Sequence, residues 1–400
     1  MKYFFVLGTN TALSVAELSA VLDLKNPELV AADFLIAEID EEINPEKLMS
    51  RLGGLIKIGR CLTEMTVTGF TSIDLSSKLL EAIEAAASAK QAAGPSGKFN
   101  FGFSDYGSKN FDKKDLGAKL KKYLVAQGIS ARFVVSREKN LSSVVVEQNK
   151  LISRGIEIVL ALAGGQIFVG ETLAVQPFKD LSRRDFGRPA RDDLSGMLPP
   201  KIAQVMINLA QINNLEEVII DPFCGSGTIL SEAILLGYKR LFGSDISPKA
   251  IDNTYKNISW LKELYKIPEY KLKLFVKNVT DLSKFIKAES AGAIITEPFL
   301  GPQRGLIAFQ TVINNLENLY ASALKEFFKV LKPGGRVVMI WPSFYGQRPI
   351  SPNYPGFKII NPLPASLRGH QYIKSTDRET IIYGRPGQKV YREIVVLEKI

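Results

Sequence analysis

The chain has 400 residues, enough for two or three folded domains by the usual size of such units. Hydrophobic residues make up 46% and charged residues 23%, the balance of a globular protein, and no stretch nears the ~18 apolar residues of a membrane span, so disorder and a spanning role are excluded. Two cysteines (Cys61, Cys224) and one histidine (His370) leave no disulfide framework or zinc site and little ground for metal or Ser-His-Asp chemistry. The apolar run in the opening Tyr3-Phe4-Phe5-Val6-Leu7 is too short for a secretory leader, and a cytoplasmic protein is expected. The net charge of +10 is unevenly held. Residues 93–190 carry a net +7 and residues 301–400 a net +8, whereas residues 1–92 are acidic and 191–300 are balanced. Two basic blocks flanking a neutral one suit a polyanion path, although lysines that merely solvate helix faces give the same count.

In chain order, Tyr3–Leu7 and Leu35–Ile39 read as strands around a helix over Ser14–Leu22, a small α/β unit spanning residues 1–65. An Ala-rich helix over 75–93 ends in Gly94-Pro95-Ser96-Gly97, a helix stop. A strand over Lys98–Phe103 follows, then a helix over Lys113–Gln127 with Leu116, Leu120, Tyr123 and Leu124 on one face and Lys113, Lys119 and Lys122 on the other. Strands are expected at Arg132–Ser136, Ser143–Glu147, Glu157–Leu162 and Gln166–Val169, making residues 66–175 a second α/β unit. Residues 176–196 read as a polar linker whose Lys179, Arg183, Arg184, Arg188 and Arg191 also suit phosphate contacts. From 197 to 400 helices alternate with short β-branched strands: helix 199–212, strand 217–221, helix 228–236, strand 240–245, helix 248–265, strands 272–276 and 292–296, helix 310–331 and strand 335–340. Late β runs at Thr380–Tyr383 and Tyr391–Glu398 read as a hairpin. The alternation predicts a mostly parallel, doubly wound sheet, with a ligand beyond the carboxyl ends of its strands where their order reverses.

The loops after those strands carry the chemistry. The first strand runs into Asp221-Pro222-Phe223-Cys224-Gly225-Ser226-Gly227-Thr228 and an apolar helix. Two glycines two apart let the backbone turn tightly and leave room for a ligand to lie on it. A nicotinamide fingerprint would place a third glycine at position 230, where Leu stands, so dinucleotide binding is disfavoured. Asp245, at the end of the next strand, suits an acid that accepts both ribose hydroxyls. Asp221, the glycine turn, Asp245 and Asn278 would together surround an adenosine-containing ligand.

This run, with Arg188-Pro189 and Gly196-Met197-Leu198-Pro199-Pro200-Lys201-Ile202-Ala203 before it, resembles the class I S-adenosylmethionine-dependent RNA methyltransferases that carry an N-terminal THUMP domain, in particular tRNA guanosine-N2 methyltransferases acting on guanosine 10. The resemblance is strong over about residues 176–345. It implies an α/β chain in which a ferredoxin-like unit (1–65), a THUMP-like RNA-binding unit (66–175) and a linker (176–196) precede a Rossmann-like methyltransferase domain (197–400) with a seven-stranded sheet. It also implies that Asp221, Phe223, Gly225, Gly227 and Ile246 line the cofactor, that Asp245 holds the ribose, and that Asn278, where the family has an acid, accepts from the adenine amine. The strand over 293–296 ends in Glu297-Pro298-Phe299-Leu300, where related amino-methylating enzymes carry Asp or Asn, two prolines and an aromatic. An exocyclic amine is a poor nucleophile because its lone pair is delocalised into the ring. Acceptors aimed at its hydrogens localise that pair, a carboxylate stabilises the charge that develops on nitrogen, and an aromatic face holds the base. Glu297, the Pro298 carbonyl and Phe299 are the candidates here, with Phe299 one residue early and Leu300 in the aromatic position. A base in folded RNA must be extruded to react, which needs contacts elsewhere; Lys98, Lys109, Lys113, Lys114, Arg348 and Arg368 are candidates for RNA, with His370, Gln371, Tyr345 and Tyr372 in the same late loops. The expected partner is tRNA, with neither metal nor membrane. A DNA adenine or cytosine amino methyltransferase and an RNA-binding descendant without turnover are the alternatives.

Overall fold

The computed structural model describes residues 1–66, 77–92, 97–107, 111–191, 197–302, 308–385 and 387–400 and holds two eight-stranded sheets. The first opens with β1 (Lys2–Leu7), α1 (Thr11–Val21), β2 (Lys25–Ala31), β3 (Phe34–Glu38), α2 (Pro45–Arg51) and β4 (Leu55–Thr66). These strands lie in the order β2-β3-β1-β4 with antiparallel pairing throughout, a ferredoxin-like β-α-β-β-α-β unit. The sheet continues through α3 (Ser77–Ala92), β5 (Phe99–Tyr106), α4 (Lys113–Ala126), β6 (Ala131–Phe133), α5 (Ser143–Gln148), β7 (Gly155–Ala163) and β8 (Gln166–Val175). Its two halves join where β4 pairs with β8, from Lys57↔Val175 to Thr66↔Gln166. The boundary expected at 65/66 thus falls at the end of a strand shared by both halves, and residues 94–96 of the expected helix stop lie outside the described residues.

Two expectations fail in this half. Ser143–Glu147, read as a strand from its three valines, is the helix α5, because the Ser142 side chain accepts from Val145 N and caps a helical turn. The linker contains α6 (Phe178–Phe186), and two of its arginines are buried where phosphate contacts were expected. Arg184 donates from Nε and Nη2 to Glu232 at 2.8 and 3.2 Å, and Arg188 donates from Nη1 to Thr228 Oγ1 at 2.6 Å.

The second half follows the expected alternation: α7 (Pro200–Leu209), β9 (Val218–Asp221), α8 (Thr228–Leu235), β10 (Arg240–Asp245), α9 (Pro248–Leu264), β11 (Lys271–Val276), α10 (Leu282–Phe285), β12 (Ala291–Thr296), α11 (Phe309–Val330) and β13 (Leu331–Phe344). The chain ends in β14 (Phe357–Ile359), β15 (Ile381–Tyr383) and β16 (Val390–Lys399). The order is β11-β10-β9-β12-β13-β16-β14, parallel from β11 to β13, a Rossmann-like sheet. β16 runs antiparallel to β13, and β14 and β15 pair end to end along its other edge, so the expected hairpin exists as β15 with β16. From β9 the chain winds outward to β10 and β11, then crosses back to β12 on the other flank of β9. That reversal opens a crevice at the carboxyl ends of β10, β9 and β12.

The two halves are packed into one body. One apolar cluster runs from Phe5 and Leu13 through Ile202 and Met206 of α7 to Ile219 and Ile294 in the central strands. At its seam the carboxylate of Glu17, on α1, is fully buried and accepts from Gly53 N at 2.9 Å, Gly54 N at 2.7 Å and Asn208 Nδ2, on α7, at 2.8 Å. Arg51 Nε in turn donates to Asn208 Oδ1 at 3.0 Å. Burial pushes the Glu17 carboxyl up to about 7. Between pH 4.5 and 7 the unfolded chain gives up this proton while the folded chain keeps it, so Glu17 makes stability fall as pH rises across that window and level off above it, by on the order of 3 kcal/mol. In Glu17→Gln that component of the slope is expected to vanish, as urea denaturation at several pH values measures.

Candidate active site

The crevice is built from three strand ends. After β9 the chain turns through Gly225 (φ +53°) and Gly227 (φ +82°) into α8. Both are left-handed conformations that glycine adopts without strain, and at Gly227 a Cβ would stand 2.7 Å from Thr254 Cγ2, so no other residue fits. The turn is held from several sides. Asp245 Oδ2 accepts from Gly225 N at 3.0 Å, Thr254 Oγ1 donates to the Gly225 carbonyl at 2.9 Å, and Asn257 Nδ2 donates to the Ser226 carbonyl at 2.9 Å. Asn257 also exchanges two 2.9 Å hydrogen bonds with the backbone of Ala190, tying the turn to the segment that enters from the N-terminal half. Arg188 on Thr228 braces the first residue of α8.

Asp221 lies beneath this turn. Its Oδ1 accepts from Thr296 Oγ1 at 2.7 Å and from Phe223 N at 3.3 Å. Burial pushes its carboxyl up to about 7, helped by the nearby charges of Asp245 and Glu297. Asp221 therefore joins the ends of β9 and β12 from inside, and the exposed polar groups of the crevice are its neighbours. Asp245, at the end of β10, is half-buried, with Oδ1 accepting from Ser247 N at 2.9 Å. Each of its oxygens has engaged one backbone N–H and retains a second lone pair for a hydroxyl. Ile246 beside it is 71% exposed, an apolar side chain standing open at the crevice rim. Asn278, after β11, departs from expectation: its oxygen accepts from both Thr280 N and Thr280 Oγ1 at 3.0 Å. The acceptor assigned to the adenine amine is spent on capping the turn that follows.

Beyond β12, Glu297 is largely buried and Arg392 Nε, on β16, donates to its Oε1 at 2.6 Å. Burial pushes the Glu297 carboxyl up, and Arg392 opposes that shift. Pro298 is buried, Phe299 is 62% exposed, and Leu300 turns into the core. Tyr320 of α11 donates to the Phe299 carbonyl at 2.7 Å, pinning the loop with the phenyl ring outward. The aromatic standing one residue early is thus the exposed one of the pair.

The RNA candidates fall in both halves of the molecule. Lys98, just before β5, and Lys114, on α4, are exposed, and Lys109 lies outside the described residues. Lys113 is half-buried and donates to the Lys139 carbonyl, so its expected exposure as a phosphate contact is corrected. Arg348, just past β13, is neutralised by Glu317 through bonds of 2.6 and 3.0 Å. Arg368 is exposed, with Nε on the Leu363 carbonyl at 3.1 Å. It sits with His370, Gln371 and Tyr372 in the 360–380 excursion between β14 and β15, whose helical turn at 365–367 packs against β2 and not over the crevice. Tyr345, at the end of β13, is 87% exposed.

Residues that sequence reasoning missed are the supports. Thr254 and Asn257 fall in phase with Ile251, Ile258 and Leu261 on the buried side of α9, and polar residues on an apolar stripe are a readable signal. Arg392 lies 95 residues from Glu297 and gives no local signal.

With this geometry, residues 188–344 match the family model described as RMKL-like, methyltransferase domain. This stretch, under half of the chain, is similar to that methyltransferase domain. Curated relatives include a tRNA (guanine(10)-N2)-dimethyltransferase from Pyrococcus abyssi, 27% identical over 239 residues, which are 58% of this chain and 64% of that protein. A second of the same name, from Methanothermobacter thermautotrophicus, is 32% identical over 149 residues, 37% of this chain and 40% of the relative. The chain therefore aligns with less than two thirds of the length of these curated relatives. The crystal structure of TrmN from Thermus thermophilus superposes over the full length of both chains with a TM-score of 0.51 at 19% identity, a shared fold. The matched stretch contains the glycine turn, Asp245 and Glu297, and stops short of β16; the Arg392 that meets Glu297 comes from outside it. Among the described residues no helix is long and apolar enough to cross a membrane.

Proposed function

We propose that this chain is a cytoplasmic tRNA methyltransferase that moves a methyl group from S-adenosylmethionine to the exocyclic N2 amine of a guanosine. The observation that carries the reading is the convergence of two kinds of group on one crevice: an acid and a glycine turn suited to a nucleoside, and a carboxylate with an outward aromatic ring suited to a nucleobase amine. The names of the curated relatives point the same way.

The residues fit such a donor. At Gly225 an added Cβ would meet nothing within 4 Å, so the turn presents bare backbone to open space, with the Asp245 carboxylate and the Ile246 side chain beside it. Asp245 would take the ribose hydroxyls, while Ile246 and Phe223 would pack against the base. When bound, S-adenosylmethionine supplies an electrophilic methyl group on a sulfonium. Glu297 accepts a hydrogen bond from the target amine, localising its lone pair, and stabilises the positive charge that grows on nitrogen. The Pro298 carbonyl is the second acceptor, and the Phe299 ring holds the extruded base by its face. The leaving proton passes to the carboxylate or to water. Residues 66–175 would serve as a THUMP-like RNA-binding unit, with Lys98 and Lys114 among its phosphate contacts.

Incubation with tRNA and isotope-labelled donor, digestion to nucleosides and mass spectrometry tests the reading: N2-methylguanosine is expected. Label in DNA adenine or cytosine, or none in any nucleic acid, would replace it with one of the two alternatives. Asp245→Ala should weaken donor binding about ten- to a hundredfold by calorimetry, the worth of charge-assisted hydrogen bonds at this depth. Unchanged affinity would remove Asp245 from the donor site.

A further inference from the structure

We propose that Arg392 is a positioning residue for methyl transfer, which fixes the Glu297 carboxylate by one oxygen so that the other is presented to the exocyclic amine. The inference rests on the function proposed above and deepens it at the same site. Arg392 stands opposite Pro342 and Tyr383 in the paired strands, at the carboxyl end of the sheet. To meet Glu297 it reaches across β13 to the loop that follows β12. Two strand spacings separate β16 from β12, about 10 Å, a span that the Glu and Arg side chains close together.

The pairing is specific. Arg392 Nε takes Oε1, and Oε2 has no hydrogen-bond partner among the described residues. A glutamate has one more rotatable bond than an aspartate, and anchoring one oxygen removes that freedom before substrate arrives. Charge is arranged to the same end. Glu297 faces Arg392 from β16, the buried Asp221 from β9 with Asp245 beyond it, and the buried Tyr320 hydroxyl from α11. Of these Arg392 alone is cationic; without it, burial and the neighbouring acids would both favour a protonated Glu297, which cannot stabilise a cationic nitrogen.

The test combines a titration with kinetics in the full chain. In protein carrying 13C-labelled glutamate carboxyls, with Glu297 assigned by its absence from Glu297→Gln, the Glu297 signal should titrate at higher pH in Arg392→Gln than in wild type, and Arg392→Lys should bring it most of the way back. In tRNA methylation assays Arg392→Gln should lower kcat at pH 7 about tenfold or more and move the acid limb of the pH profile upward, with donor KM unchanged. A Glu297 titration unmoved in Arg392→Gln overturns the inference, as does a loss of kcat that is equal at every pH. A wild-type chain that methylates no tRNA would overturn the functional reading, and with it the catalytic part of this one, while the titration still decides whether Arg392 governs the carboxylate.

Discussion

Glu297→Gln is expected to lower kcat for tRNA methylation by about two to three orders of magnitude while leaving donor affinity within a few-fold of wild type. The glutamine keeps the size of the side chain and one oxygen for Arg392, so the loop after β12 retains its shape. It loses the negative charge. In a crevice where Glu297 is largely buried, a charge opposite the forming cation is worth several kcal/mol, the scale on which removing one preorganised electrostatic group slows comparable reactions. Donor affinity is spared because the glycine turn and Asp245 lie on the ends of β9 and β10, across Asp221 from Glu297. Single-turnover methylation with saturating donor measures the chemical step, and thermal melting confirms that the variant folds. Activity within tenfold of wild type would falsify the assignment of Glu297 to the amine.

Gly53→Val is expected to separate the two halves of the molecule, at a cost of about 3–5 kcal/mol, and to abolish methylation of tRNA. A Cβ at Gly53 would sit 2.0 Å from the Lys201 carbonyl oxygen and 2.8 Å from its carbon, against helix backbone that cannot yield as a side chain would. The halves must move apart at the seam where Glu17 receives the amides of Gly53 and Gly54. Opening it strips partners from a buried carboxyl and from Asn208, one of the few routes to a loss of this size. The C-terminal half keeps its own strands and glycine turn, so donor binding should survive in whatever protein remains folded. Urea denaturation gives the stability, and parallel donor-binding and tRNA-methylation assays give the split. A variant with wild-type stability and activity would mean that the seam tolerates a shift the geometry forbids.

Most of the second half was legible because its information is local. Each strand from β9 to β13 is a short β-branched run and each helix a longer amphipathic one, so alternation alone implies a parallel sheet and places the loops after β9, β10 and β12 along one edge. Asp221, the glycine turn, Asp245 and Glu297 all stand at those strand ends, so the alternation brings them to one edge. Local reading failed where a side chain's partner lies far along the chain. Arg184 and Arg188 look like solvated linker cations until Glu232 and Thr228 come beside them, and Arg348 looks available until Glu317 does. The valines of α5 favour a strand by propensity, a preference of a few tenths of a kcal/mol that one capping serine outweighs.

The order of residues along the chain was sufficient to specify a Rossmann-like sheet, the crevice at its reversal point and the chemical character of the groups lining it, since periodicity and turn chemistry act over a few residues. Tertiary structure alone decided which charges remain unpaired, that Asp221 lies under the glycine turn, that Phe299 and not Leu300 faces outward, and that Arg392 from the last strand grips Glu297. Those outcomes depend on burial and on contacts between segments tens to hundreds of residues apart, where Coulomb energy and desolvation are set by distances that no window of sequence contains.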